Sequence, residues 1–183
     1  MEANNAKTAE QMQAEAMAAA AQGKQSVPVM GMPVFQIMGN HDNCFMSATQ
    51  PVEGRTIRDI NLNIQRMFET TFGPINYSFN RGNIHIVGMR DIKYTSQTSM
   101  ASYQAGFLDT QYEWLKQDLA YVPKTMTVVL CVHIQLHGYR SLNSQNYIGK
   151  VHALLNEFQE AHIISGHTHI NRNEEPNSTF KNV

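Results

Sequence analysis

Three apolar runs organise the polar and apolar positions of this chain, and each ends in a histidine-bearing turn. Residues 125–133 are β-branched and nearly continuously apolar through Val128, Val129, Leu130, Cys131 and Val132, and close on His133. Such a run predicts a strand buried on both faces. Residues 161–165 form a second run leading into Gly166, and residues 34–38 a third leading into Gly39. A hairpin is predicted from 77–79 to 84–89 around Asn80, Arg81, Gly82 and Asn83. Helical spacing over 56–72 aligns Ile57, Ile60, Ile64, Met67 and Phe68, and Gly73-Pro74 stops the helix. A capping box of Thr110 and Glu113 predicts a second helix that turns Tyr112, Leu115 and Leu119 inward. A third helix over 149–160 places Val151, Leu154, Leu155 and Phe158 on the core. The stretches 43–55 and 91–106 read as loops. The tail from 171 to 183 is polar.

Residues 1–27 break from this pattern. They are rich in Ala, Gln, Asn and Met and poor in large apolar groups. Thr8 and Gln11 can open a helix that Gly23 stops, but its face is mostly Ala and Met. A frayed helix or disorder is expected for 1–27, and one domain for 28–183.

Composition narrows the class. The chain has 183 residues, 42% hydrophobic, and a formal net charge of −1. This predicts one soluble domain of ordinary make-up. Lys and Arg are scattered, so no nucleic-acid partner is indicated. No run approaches the ~20 apolar residues of a membrane span. Residues 16–21 make a weak signal core with no basic segment ahead of them, which leaves a cytoplasmic location as the default expectation. Cys44 and Cys131 do not form a disulfide framework.

The candidate chemistry lies in the turns that close the apolar runs. The first reads Gly39-Asn40-His41-Asp42 and the last Gly166-His167-Thr168-His169. His167 and His169 diverge by about 200° on a helix. On an extended segment they share one face, about 6–7 Å apart along the chain. That spacing suits ligands of two metals, which lie ~3.5–4 Å apart in two-metal sites. Asn40 offers a neutral oxygen. His41 beside Asp42 suggests a general acid oriented by a carboxylate. Plainer readings compete. His133 alone could be a core histidine, and His85, His152 and His162 read as structural. His137 reads as a solvated loop residue rather than one that faces substrate, and Tyr139 and Arg140 read equally as loop residues or as phosphate-pocket lining. Asp91 reads as a turn residue and Trp114 as packing. A nucleophilic pair of Cys131 with His133 is disfavoured because a buried thiol is inert.

The ordered set of motifs resembles the calcineurin-like metallophosphoesterase family over residues 33–172, through its Gly-Asn-His-Asp motif, its metal-binding His after a strand, and its Gly-His-x-His motif. The resemblance implies part of an α/β/β/α sandwich with a mixed β-sheet and flanking helices. It implies that Asn40, His133 and His167 bind one metal and His169 another. The metals would be divalent ions such as Mn, Zn or Fe. It implies that His41, supported by Asp42, stabilises the phosphate or protonates the leaving group. The reaction would be hydrolysis of small phosphate mono- or diesters by metal-activated water. The family's Asp-x-His and Gly-Asp motifs have no counterpart, since neither Asp nor His precedes His41. The chain thus reads as the C-terminal part of the catalytic domain. The alternative is a non-catalytic domain that binds one metal or none. A half-fold predicts self-association through open sheet edges.

Overall fold

In a computed structural model the described residues are 33–43, 57–94, 103–136 and 147–170. The expectations for 1–27, Cys44, His137, Tyr139, Arg140 and the 171–183 tail lie outside the described residues, as do the side chains of Ile57 and Ile60. The chain runs through α1 (Asn40–Asn43), α2 (Ile57–Phe72), β1 (Asn76–Arg81), β2 (Ile84–Met89), β3 (Ile92–Tyr94), β4 (Tyr103–Ala105), α3 (Asp109–Ala120), β5 (Thr127–Cys131), α4 (Ile148–Leu155) and β6 (Glu160–Ile164).

The main sheet is mixed, with four strands in the order β1-β2-β5-β6. β1 and β2 pair antiparallel, with Tyr77 opposite Gly88. β2, β5 and β6 run parallel, with Val87 opposite Leu130 and Leu130 opposite Ile163. Strand alternation then divides the side chains between two faces. One face carries Val87, Met89, Val128, Leu130 and Ala161 into a core with Leu115 and Leu119 of α3 and Ile148, Val151 and Leu155 of α4. The fold is α/β, with helices flanking a mixed sheet.

Polar ties join these layers. His85 on β2 is buried, with Nδ1 2.6 Å from Asn80 Oδ1 and Nε2 2.8 Å from Asp118 Oδ2 on α3. Ser78 Oγ donates to the other Asp118 oxygen at 2.7 Å. The Arg90 guanidinium reaches α2, donating to Asn61 Oδ1 at 2.9 Å and Gln65 Oε1 at 3.2 Å. Burial pulls the Arg90 pKa down, against the opposing charges of Tyr94, Asp91 and Glu69.

Several expectations need correction. Residues 33–39 form no strand, although the apolar run predicted one. The segment is fastened instead by Tyr77 Oη donating to the Gln36 carbonyl at 3.2 Å, and by Phe35 stacked on Phe79 at 4.3 Å. Its first half is exposed and only Met38, Gly39 and Asn40 dip into the interior. The stretch read as a loop over 91–106 contains β3 and β4, which pair antiparallel. The second helix is capped by Gln111 rather than by Thr110 and Glu113, because Gln111 Oε1 accepts the Leu108 N–H at 3.0 Å. On α2, Phe68 is buried but Met67 is 68% exposed. The third helix ends at Leu155, and Phe158 enters the core from the following turn.

Candidate functional site

The site lies where the parallel strands end. Asp91 follows β2, His133 follows β5, and the Gly166–His169 turn follows β6, so three adjacent C-terminal ends contribute to one place. Crevices beyond the carboxyl ends of parallel strands are where α/β sheets build their sites. Strand-like pairing continues past the strands. Val132 N–H donates to the Ile164 carbonyl at 3.0 Å, and Gly166 N–H to the His133 carbonyl at 3.0 Å. These bonds bring His133 beside His167.

Asn40 enters from the opposite side, on the single helical turn α1. Asp42 closes that turn by accepting the Gly39 N–H at 2.7 Å. Gly39 is needed for a close approach: a Cβ there would stand 2.9 Å from His133 Cε1 and Nδ1. The result is a triangle of donor atoms. Asn40 Oδ1 is 2.7 Å from His133 Nε2, and His133 Nε2 is 3.2 Å from His167 Nδ1. The two imidazoles meet edge to face at 5.1 Å.

Two further residues, Asp91 and Tyr103, support this triangle. Asp91, read as a turn residue, is fully buried, and its oxygens accept the N–H groups of His133 at 3.1 Å and Ile134 at 2.9 Å. Burial pushes its carboxyl up to about 7, against the lowering pull of those two N–H groups and of Arg90. Tyr103 on β4 accepts the Asn40 Nδ2 hydrogen at 2.7 Å and meets the His167 ring edge-on at 6.2 Å. A third support is Gln135, which like Tyr103 the sequence analysis does not single out. Its Nε2 donates to the Gly166 carbonyl and, at 2.7 Å, to Thr168 Oγ1.

The turn after β6 departs from the extended geometry expected of it. His167 and His169 both take left-handed backbone, with φ of 68° and 57°, and Thr168 N–H donates to the Gly166 carbonyl at 2.8 Å. The rings therefore do not share one extended face. Non-glycine residues at positive φ are uncommon and gather at functional turns. His169 and His41 are exposed, and no hydrogen bond joins His41 to Asp42 among the described residues. Both histidines still act on His133. Its pKa is lowered first by burial, then by His167, with His41 and His169 adding to the effect and Asp42 opposing it. Cys131 is half-buried and burial pushes its thiol up, which disfavours a thiolate.

The two contacts at His133 Nε2 have lengths that donors sharing a cation would also show. Metal–ligand lengths near 2.0–2.2 Å place neighbouring donors on the order of 3 Å apart. Among the described residues no cluster of three His, Cys, Asp or Glu side chains is placed to hold a metal ion, and the third donor here is an amide oxygen. A cation held here would have two imidazole nitrogens and one amide oxygen. A second close by would have only His169 and no carboxylate to offset the repulsion between the charges.

Asparagine and histidine side chains thus converge where the parallel strands of this mixed sheet end. The calcineurin-like phosphoesterase family model matches residues 7–171, and the chain belongs to that family. No curated protein matches, and no solved structure matches. Among the described residues no helix is long and apolar enough to cross a membrane.

Proposed function

We propose that this protein is a metal-dependent phosphoesterase that hydrolyses small phosphate mono- or diesters at the Asn40–His133–His167 centre. The carrying observation is the convergence of three neutral donors, with Asn40 Oδ1 at 2.7 Å and His167 Nδ1 at 3.2 Å from His133 Nε2. These residues would hold one divalent cation of the Mn, Zn or Fe type, and His169 would face a second position. A bound cation supplies positive charge against the oxygens of the transferring phosphoryl group. The donors bring no negative charge, so a phosphate ester provides the anionic partner that the centre lacks. His41, the neighbour of Asn40 on α1, would give a proton to the leaving oxygen. Asp42 fixes the turn that carries it by accepting the Gly39 N–H.

A second reading is a non-catalytic domain that binds one metal or none. It is favoured by the donor set itself, two imidazoles and one amide oxygen, with no cluster of three His, Cys, Asp or Glu among the described residues. Elemental analysis after dialysis against Mn²⁺ or Zn²⁺, with p-nitrophenyl phosphate and bis-p-nitrophenyl phosphate turnover on the same sample, separates the two. About one metal per chain is expected, with turnover reduced about 10²–10⁴-fold by His41→Ala. Metal binding without turnover selects the non-catalytic reading.

A further inference from the structure

Asn40 is only 6% exposed, so both ends of its amide need partners. Its oxygen faces His133 Nε2 at 2.7 Å, and its nitrogen donates to Tyr103 Oη at 2.7 Å. We propose that Tyr103 is a positioning residue that lets the Asn40 carbonyl oxygen face a divalent cation with no buried amide N–H left unpaired. The inference rests on the cation reading given above.

The chemistry follows from what the amide does without the hydroxyl. Nδ2 would lose its acceptor inside a buried site. The amide can then turn over, with His133 in the tautomer that leaves Nε2 without a hydrogen, so that Nδ2 donates to Nε2. That turn presents an N–H where a cation needs an oxygen, and it occupies the lone pair of a second donor as well. One hydroxyl thereby governs two of the three donors. A hydroxyl can donate or accept, so it tolerates either amide orientation. Its effect is to leave the inward-oxygen orientation fully hydrogen-bonded, and the cation then selects it. The Tyr103 ring also meets His167 at an interplanar angle of 73°. Tyr103→Phe keeps that contact and removes the hydroxyl alone.

The test is Co²⁺ titration of the full chain, followed by visible absorption. Tyr103→Phe should weaken Co²⁺ about tenfold or more and alter the ligand-field bands, while the urea midpoint stays near that of the unaltered protein. Asn40→Asp has no N–H to turn, so adding Tyr103→Phe to it should change affinity by less than about threefold. Equal affinity in Tyr103→Phe and the unaltered protein overturns the proposal and leaves the cation reading standing. A tenfold loss in both backgrounds also overturns it, because the effect is then independent of the amide. Failure of the unaltered protein to bind Co²⁺ overturns both readings. Nitrogen-edited NMR adds a measurement that needs no variant. The Asn40 side-chain amide protons should be protected from exchange, and fast exchange counts against the hydroxyl contact.

Discussion

At the scale of single residues, the site depends on groups that hold backbone as much as on groups that face a ligand. Asp91 is the clearest case. Its carboxyl accepts two consecutive N–H groups just where β5 ends and His133 begins. Asp91→Ala leaves both donors without that acceptor in a buried place, at a cost of about 2–4 kcal/mol. Asp91→Asn keeps one oxygen and should lose clearly less. Urea unfolding of the two variants checks the order, and equal stability of Asp91→Ala and the unaltered protein would sink this role. The histidine turns were legible in the sequence because they close apolar runs. Asp91 was not, since a lone acid after a hairpin has the same local pattern whether it ends a turn or reaches across to a strand 42 positions away. Tyr103 was hidden for a related reason. Its strand spans three residues, too few for alternation to register.

At the scale of elements, the long periodic segments were predictable and the short apolar run before Gly39 was not. The hairpin, α2, α3, β5 and β6 appear where alternation or helical spacing placed them. Residues 34–38 carry the same kind of apolar signal as β6, but a strand needs a ladder partner and the run alone cannot say whether one exists. The β1–β2 hairpin holds this segment through its side chains. Tyr77 lies over Gly88, its cross-strand partner, and reaches the Gln36 carbonyl with its hydroxyl. Burial, with a smaller effect from Cys131, pushes the phenol up to about 12. A Cβ on Gly88 would stand 2.3 Å from Tyr77 Cζ, so the ring must leave its place. Gly88→Ala should therefore cost about 1–3 kcal/mol by overpacking. Tyr77→Ala in the same chain should make the two losses clearly less than additive. Strict additivity in urea unfolding would mean that the ring does not lie over the glycine.

At the scale of the whole molecule, the main sheet is covered unequally. Its α3 and α4 face is closed by a continuous buried core. The opposite face carries Tyr77, Phe79, Ile86, Val129 and Cys131, all half-buried, with His162 and Ile164 exposed at the β6 end. The described residues place segment 33–39 over part of it, yet Phe35 stays 54% exposed, Ile164 59% and Ile84 41%. Among the described residues β6 pairs with β5 alone. Open edges and apolar faces favour pairing between copies. The sheet order explains why this was partly legible. The motifs pointed to the strand ends, whereas the exposure of the second face depends on which elements stack over it, and no local pattern records that. Sedimentation velocity should accordingly show an association that grows with protein concentration. Ile164→Lys with Ile84→Lys adds charge at two exposed points of that face and should shift the protein toward monomer without lowering its urea midpoint. Monomer at every concentration before any substitution would mean that this face does not bind a second copy.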